Sequence, residues 1–264
     1  MFERFRSLHA GPELLVLPNC WDAGSARVIE SLGARALATT SAGVAWAQGY
    51  PDGNLLPAEL LLASVRSIAR VISVPLTIDL EGGYSDDPVR VGELAAQVIA
   101  AGAAGINLED GGGAPELLAA KIASIKQAAA KAGAGLFVNA RTDVYLRGLV
   151  PAPQRVAETL ARAQRYRDAG ADGLFVPGLA AADELSAVGK GAGLPLNVMS
   201  WGGLPSVAQL TALGVRRLSA GSALAQAVWG QVARGATALL RDGHSTPQEG
   251  ALPYAELQAL FARP

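Results

Sequence analysis

The feature that most constrains the fold of this chain is a rhythm of short apolar runs that alternate with longer segments of helical period. Eight runs rich in Leu, Ile, Val and Ala are each followed by a segment rich in Ala, Leu, Glu and Arg. Such alternation is typical of βα units with a parallel sheet. The predicted strands are Leu14–Leu17, Ala36–Thr40, Leu76–Leu80, Gly105–Leu108, Leu136–Ala140, Gly173–Val176, Leu196–Met199 and Arg217–Ser219.

Eight such units in 264 residues predict an α/β protein with a single (β/α)8 barrel of the TIM type, residues 1–264, rather than an open doubly wound sheet. Glycine just past a helical segment, as in Ala169-Gly170-Ala171, is a typical helix stop. After the last strand, an apolar helix at Ala223–Arg241 and a second segment at Pro253–Arg263 extend beyond the barrel. We expect this C-terminal extension, residues 223–264, to pack on the barrel or on a neighbouring subunit.

Charge and composition exclude several classes of partner. The chain has 22 basic and 23 acidic residues and no basic run, so neither nucleic acid nor an anionic membrane is expected to bind. Its apolar stretches are shorter than the about 18 residues of a membrane span, and residues 1–6 contain no apolar signal core. The single cysteine, Cys20, excludes an intrachain disulfide. We therefore expect a soluble cytoplasmic protein.

Acidic side chains follow neighbouring predicted strands, at the end of the barrel where such enzymes carry their chemistry. Asp79 and Glu81 end the third strand, Glu109 follows the fourth, and Asp52 lies in the long loop after the second. Crowded carboxylates repel one another unless a cation neutralises them, and oxygen ligands favour Mg²⁺ or Mn²⁺. Arg141, after the fifth strand, would bind a substrate carboxylate through its planar fork. For each acid alone, helix capping or a solvated loop position remains the alternative.

The positions of lysine and histidine argue against two other chemistries. We place the lysines in helices or loops away from every strand end, which leaves a Schiff-base aldolase without a nucleophile. They are Lys121, Lys126, Lys131 and Lys190. His9 and His244 lie near the ends of the sequence, so a histidine dyad or an imidazole zinc site is not expected.

In this order and spacing, the strand ends resemble the isocitrate lyase/phosphoenolpyruvate mutase superfamily, from about Leu14 to Trp229. The matching segments are Leu17-Pro18-Asn19-Cys20-Trp21-Asp22-Ala23-Gly24-Ser25-Ala26, Thr39-Thr40-Ser41-Ala42-Gly43, Pro51-Asp52-Gly53, Asp79-Leu80-Glu81-Gly82-Gly83-Tyr84, Leu108-Glu109-Asp110, Ala140-Arg141 and Asp168-Ala169-Gly170-Ala171-Asp172-Gly173.

The resemblance implies a bound Mg²⁺ held directly or through water by three acids: Asp79, Glu81 and Glu109. It implies that the substrate's acid group is held by Arg141 and by the backbone of Thr40-Ser41-Ala42. It places Asp52 over the reacting carbon or the metal's shell. It also implies a homotetramer, a dimer of dimers, in which subunits exchange a C-terminal helix.

The segment after the fourth strand departs from the lyases of that superfamily. Isocitrate and methylisocitrate lyases carry a Lys-Lys/Arg-Cys-Gly-His loop there, whereas here Glu109-Asp110 runs through Gly111-Gly112-Gly113-Ala114-Pro115 into a helix. Without that cysteine, an acid–base pair for cleaving a carbon–carbon bond is hard to assemble. Decarboxylation of a 2-oxo diacid needs only a metal as electron sink and a proton donor, water or Tyr84.

The leading hypothesis is therefore a metal-dependent lyase acting on a small 2-oxo or 2-hydroxy acid through an enolate, similar to oxaloacetate decarboxylase. Cleavage of a substituted malate or carbon–phosphorus chemistry of the phosphonopyruvate type are the alternatives. From other classes, a phosphate-binding barrel isomerase or synthase and a non-catalytic 2-oxo-acid binding protein remain open. Two further side chains would contact substrate, with core packing or an interior hydrogen bond as the alternative: Trp21 and Asn197.

Overall fold

The structure is a computed structural model that describes residues 1–243 and 250–262. Within these residues, nine parallel strands form one sheet in the order β1-β9-β8-β7-β6-β5-β4-β3-β2. The strands are β1 (Leu15–Leu17), β2 (Asn19–Cys20), β3 (Leu37–Thr39), β4 (Leu76–Asp79), β5 (Gly105–Glu109), β6 (Phe137–Arg141), β7 (Gly173–Phe175), β8 (Leu196–Met199) and β9 (Val215–Ser219). All eight predicted strands are present, and the first of them is continued by the short β2.

The barrel closes at Pro18, the residue between β1 and β2. On one side β1 pairs with β9, with Leu15 opposite Arg217. On the other side β2 pairs with β3, and the Pro18 carbonyl accepts a hydrogen bond from the Ala38 amide at 3.4 Å. Because proline has no N–H, it divides the strand into two ladders. The two ends of the sheet are therefore one residue apart, and the predicted (β/α)8 barrel is confirmed.

Helices surround this sheet. They are α1 (Phe2–Ala10), α2 (Ala23–Ser31), α3 (Ser41–Ala47), α4 (Ala58–Ala69), α5 (Pro88–Ala100), α6 (Pro115–Lys131), α7 (Arg155–Asp168), α8 (Ala182–Gly191), α9 (Val207–Ala212), α10 (Ala223–Asp242) and α11 (Tyr254–Phe261). Several begin at sequence signals: Asp22 caps α2 in a capping box, and Pro88 and Pro115 occupy first positions, where a missing N–H costs nothing.

Helix α1 closes the amino-terminal end of the barrel. The Phe5 ring meets the Phe137 ring edge-on with centroids 5.3 Å apart, and His9 stacks on Phe137 at 4.2 Å. Within the barrel, the fully buried Arg217 donates from Nη2 to Asn107 Oδ1 at 3.3 Å. Burial lowers the pKa of His9 to about 3, and the nearby Arg217 adds to this effect. His9 is thus a neutral residue of the barrel floor.

The C-terminal extension has two described helices with different surroundings. Helix α11 packs against α2, where Arg27 Nε donates to the Leu260 carbonyl at 3.2 Å. Helix α10 has one buried residue, Ala225. It presents an exposed apolar surface: Leu224, Val228, Trp229, Val232, Leu239 and Leu240. Exchange of this extension between subunits stays a prediction. None of the helices in the described ranges is both long and apolar enough to cross a bilayer.

Candidate active site

Three of the predicted site residues are the last residues of adjacent strands. Asp79 ends β4, Glu109 ends β5 and Arg141 ends β6. Glu109 lies directly opposite Arg141 in the parallel ladder, and Arg141 Nη1 contacts Glu109 Oε2 at 2.8 Å. The carboxyl ends of these strands therefore bring the acidic residues and the guanidinium to one mouth of the barrel, as the strand-end argument predicted.

A second carboxylate, which the sequence analysis did not single out, fixes the plane of the Arg141 guanidinium. Its Nε and Nη2 donate to Asp143 Oδ1 and Oδ2 at 2.8 and 3.1 Å, and the Asp143 side chain is fully buried. Burial opposes the charge of the guanidinium, but Glu109 and Asp143 outweigh it and raise the pKa of Arg141. Arg141 is therefore a permanent, pre-oriented cation at the mouth.

Asp143 is supported in turn by a buried network from α7. Its backbone N–H donates to Asp110 Oδ1 at 3.0 Å. Asp110 Oδ2 accepts from Arg162 Nη1 at 2.8 Å and from the Tyr166 hydroxyl at 2.6 Å. Arg162 and Tyr166 lie more than 50 positions after Asp110, so no local sequence motif links the three residues. Their contacts fix the loop that follows β6.

The start of α3 contacts Asp79 through the main chain. The Ser41 N–H donates to Asp79 Oδ2 at 3.2 Å, and the Asp79 N–H donates to Thr39 Oγ1 at 2.9 Å. Thr40 and Ala42 on either side are buried. Gly43 permits this arrangement, since a Cβ there would lie 2.7 Å from Thr40 Cγ2. Substrate binding by the Thr40-Ser41-Ala42 backbone stays a prediction.

Glu81 reaches the site by a different route from the one predicted. The prediction that Glu81 ends the same strand as Asp79 is wrong, because β4 ends at Asp79 and Glu81 has a left-handed backbone with φ of 50°. The turn folds back through a Gly83 N–H to Leu80 carbonyl bond of 2.8 Å. Glu81 is nevertheless buried, and its Oε1 accepts from the Tyr84 hydroxyl at 2.8 Å while Oε2 accepts from the Asn54 N–H.

The acids at the mouth raise one another's pKa values, with Asp79 acting on three of them. Although Asp52 lies in an exposed loop, partial burial of its carboxyl raises its pKa, and Asp79 adds to the rise. Burial likewise raises the pKa of Glu81, with contributions from Asp52 and Asp79. For Glu109, burial with Asp79, Asp143 and Glu81 raises the pKa to about 7 against the opposing effect of Arg141. The Asp79 charge thus disfavours the charge of three neighbouring carboxylates, and a site of this kind is suited to a divalent cation.

The acids fit a divalent ion that keeps part of its water shell rather than one enclosed by protein ligands. Across residues 1–243 and 250–262, no three carboxylate, imidazole or thiol groups converge closely enough to ligate one ion. Both Glu81 oxygens are already hydrogen-bonded, and Glu109 is paired with Arg141. Mg²⁺ commonly keeps several waters and takes only one or two carboxylates. Asp79 is therefore the candidate direct ligand, and Glu81 and Glu109 would act through water.

Three other predicted residues are less well placed for their predicted roles. Trp21 is 9% exposed within the main core cluster, and Asn197 is 1% exposed, with its Oδ1 accepting from Ser219 Oγ at 3.3 Å. Both positions favour the packing and interior hydrogen-bond alternatives. Tyr84 does lie at the mouth, but burial and Glu81 raise its pKa, which makes it a poor proton donor.

The placement of Lys121 away from every strand end is wrong. Although it lies on α6, its Nζ donates to the Gly82 carbonyl at 2.8 Å and to Asp86 Oδ1 at 3.2 Å, just beyond β4. The four-carbon stem of lysine allows this reach. Lys121 lines a cleft of about 460 Å³ together with Glu109 and Arg147. Its amine is thus engaged by two acceptors, which is the better reason for not assigning it as a nucleophile.

The raised pKa of Glu109 gives a testable pH dependence. Between about pH 5 and 7 the folded protein keeps a proton on Glu109 that the unfolded chain releases, so the free energy of unfolding falls as pH rises through this window. In EDTA, Glu109→Gln should remove about 2 kcal/mol of this pH dependence. Urea unfolding at pH 5 and pH 8 measures it. An equal pH dependence in wild type and variant would contradict the assignment.

Comparison with known proteins gives a family for this architecture. The sequence matches the phosphoenolpyruvate phosphomutase family over residues 5–240. It is 38% identical over 259 residues to an uncharacterized protein of Mycobacterium tuberculosis, covering 97% of this chain and 95% of that one. It is 30% identical over 280 residues to an oxaloacetate decarboxylase of Bradyrhizobium sp., with 99% and 92% coverage. A solved structure of a Burkholderia cenocepacia protein, 39% identical, superposes with a TM-score of 0.89 over 99% of this chain and 95% of that chain.

These similarities extend over the whole barrel and include the strand ends that carry Asp79, Glu109 and Arg141. They agree with the resemblance drawn from the strand-end segments alone. Relatives of this kind are lyases and mutases. The chain belongs to the phosphoenolpyruvate phosphomutase family of the isocitrate lyase/phosphoenolpyruvate mutase superfamily.

Proposed function

We propose that the protein is a Mg²⁺-dependent lyase that decarboxylates a small 2-oxo diacid of the oxaloacetate type. The observation that carries this proposal is that two groups lie at the same barrel mouth: the Arg141 guanidinium, which Asp143 orients, and the Asp79 carboxylate. A fixed guanidinium beside a metal-binding carboxylate is suited to a 2-oxo acid, whose carboxylate and keto oxygen present two adjacent acceptors. The similarity to an oxaloacetate decarboxylase supports the same reaction.

In this reaction the bond between C3 and C4 of the substrate breaks and CO2 leaves. The electron pair moves into the C2–C3 bond to give the enolate, which a proton at C3 converts to the 2-oxo monoacid. A divalent ion, when bound, supplies electron withdrawal at the 2-oxo group. Asp79 would hold that ion, and Arg141 would orient the C1 carboxylate through its fork. Asp52, in an exposed loop at the mouth, would position the water that delivers the proton.

The cleft beside Glu109 supports a diacid over a monoacid. It has a volume of about 460 Å³, and its lining combines two cations, Lys121 and Arg147, with three acids, Asp86, Glu109 and Asp110. Lys121 is held by Gly82 and Asp86, whereas Arg147 bonds Asp143 through Nε, at 3.0 Å, and has a side chain that is 56% exposed. A carboxylate at the far end of the substrate would therefore meet the Arg147 guanidinium.

Cleavage of a substituted malate remains the second candidate. This reaction needs an acid–base pair at the mouth, which neither Cys20 nor His9 provides. Cys20 is buried at the end of β2, and burial raises its pKa to about 12, which keeps the thiol protonated. His9 lies in the barrel floor, at the opposite end from Asp79. The second histidine of the sequence, His244, lies outside the described residues.

The direct test is to strip the protein with EDTA and assay pyruvate from oxaloacetate with and without Mg²⁺. Because Mg²⁺ alone decarboxylates oxaloacetate slowly, protein-free Mg²⁺ is the baseline. We expect turnover at least about 10²-fold above it. A parallel panel of a substituted malate, phosphonopyruvate and a 2-oxo monoacid tests the alternatives. Absence of metal-dependent turnover would refute the proposal, and tight binding without turnover would indicate a binding protein.

A further inference from the structure

Three residues with unusual backbone conformations lie in one small region of the site. Asn54, Glu81 and Tyr84 have φ angles of 62°, 50° and 60°, and among the residues described here they are the non-glycine residues with positive φ. Such conformations are uncommon outside glycine, and they tend to cluster where surrounding contacts fix the backbone. All three belong to one hydrogen-bonded group, which we call the Asn54 cluster: Asn54, Glu81, Gly82 and Tyr84.

Asn54 makes three hydrogen bonds within this cluster. Its N–H donates to Glu81 Oε2, and its Oδ1 accepts from the N–H groups of Gly82 and Tyr84, both at 3.1 Å. The Tyr84 hydroxyl completes the cluster by donating to Glu81 Oε1 at 2.8 Å. One carbonyl oxygen thus accepts from the amides of Gly82 and Tyr84 in the same turn. Each oxygen of the Glu81 carboxylate accepts one hydrogen bond, from Asn54 and from Tyr84.

These contacts join two loops that each carry a site carboxylate. Asn54 belongs to the loop between α3 and α4, two residues after Asp52. Gly82 and Tyr84 belong to the turn after β4, which carries Glu81. Asn54 is exposed, so packing does not impose its contacts. The next anchor of the Asp52 loop is the buried Leu56.

We propose that Asn54 is a positioning residue: it fastens the Asp52 loop to the turn after β4, so that Asp52 is held at a fixed place over the site. In this role Glu81 is the acceptor that fastens the loop, and not a direct ligand of the ion. The inference deepens the proposed function and rests on it for the catalytic measurement alone.

The chemistry of asparagine explains why this residue type serves here. Asparagine adopts the left-handed conformation more readily than other non-glycine residues, and its carbonyl has two lone pairs for two N–H donors. Glycine at position 54 would keep the backbone and its N–H bond to Glu81 but lose the acceptor oxygen. Aspartate would keep an acceptor oxygen in the same place. The pair Asn54→Gly and Asn54→Asp therefore separates the side-chain contact from the backbone conformation.

Hydrogen exchange measured by mass spectrometry tests the contact without any substrate. In Asn54→Gly, amide exchange in peptides covering residues 80–86 should quicken by about five- to tenfold, since two amides lose their acceptor. Asn54→Asp should stay within about threefold of wild type. Leu55→Ala is the matched control, because Leu55 is 59% exposed in the same loop and should leave exchange unchanged. Unchanged exchange in Asn54→Gly would overturn the proposal.

Two further measurements test positioning rather than stability. In Asn54→Gly, calorimetric titration with Mg²⁺ alone should give a Kd about tenfold higher, because carboxylates that hold water around the ion are misplaced. The kcat for oxaloacetate should fall about tenfold or more while KM changes less than about threefold, and Asn54→Asp should restore both constants. Faster exchange with unchanged Mg²⁺ affinity and kcat would overturn the positioning role. Exchange and Mg²⁺ titration need no turnover, so an inactive wild type would count against the proposed function alone.

Discussion

Asp79→Asn should abolish Mg²⁺-dependent turnover, with a loss of at least about 10³-fold in kcat. The amide is nearly the same size, and it can still accept the Ser41 N–H that now bonds Asp79 Oδ2. The substitution therefore removes the charge of the candidate direct ligand while preserving its surroundings. Mg²⁺ binding by calorimetry and pyruvate release in the same preparation measure the effect.

In EDTA the same variant should keep a stability close to that of wild type, because the charge of Asp79 favours the cations of Arg141 and Arg217 but opposes three carboxylates. Asp79 raises the pKa of Asp52, of Glu81 and of Glu109, which shows that its charge opposes theirs. Asp168→Asn is the control, because that carboxylate is 62% exposed at the end of α7 and should retain full activity. If Asp79→Asn kept a tenth of the wild-type kcat and an unchanged Mg²⁺ affinity, Asp79 would not be a metal ligand.

Replacing Arg141 should have two large effects that can be separated. Arg141→Lys keeps a positive charge but lacks the planar fork, so kcat/KM for oxaloacetate should fall about 10²- to 10³-fold, mostly through KM. Arg141→Met also leaves Asp143 fully buried with Arg147 as its remaining cationic partner. Removing one partner of a buried ion pair destabilises by about 3–5 kcal/mol.

Urea unfolding and steady-state kinetics on both variants measure these two effects. Arg147→Met is the matched control, since it removes a partner of the same carboxylate whose side chain is 56% exposed. It should cost less stability than Arg141→Met and leave the C1 carboxylate site intact. Equal KM values in Arg141→Lys and wild type would remove Arg141 from substrate binding.

The barrel was predictable from sequence because its signal is repeated. Each apolar run has the length of a buried parallel strand, and eight of them in order leave few alternatives to a closed sheet. Details that depend on single residues were not predicted. Pro18 divides the first strand, and Thr40, assigned to a strand, lies at the N-cap position of α3 without a side-chain capping hydrogen bond. Helix α1 was not predicted, because its stability comes from Phe137 and the barrel floor, more than 120 positions away.

The residues of the site likewise fall into a predictable and an unpredictable group. Asp79, Glu109 and Arg141 could be predicted because parallel strands bring their carboxyl ends to one face, whatever the loops do. The positions of Glu81, Asn54 and Tyr84 depend on left-handed backbone conformations, which glycine signals strongly, asparagine weakly, and glutamate and tyrosine not at all. The contacts of Asp143 and Lys121 at the site depend on how far each side chain extends and in which direction. Sequence patterns carry strand periodicity, but they carry no information on the path of a loop.

The junction at Pro18 bears on the order in which the barrel can assemble during synthesis. Strand β1 has β9 as its ladder partner, and Leu15 cannot meet Arg217 until more than 200 further residues have been made. Until then its amides and carbonyls form an open edge of the kind that pairs with other chains. A nascent chain that ends before Val215 therefore leaves that edge open to pairing with other chains, whereas one that extends past Ser219 can satisfy the edge within itself.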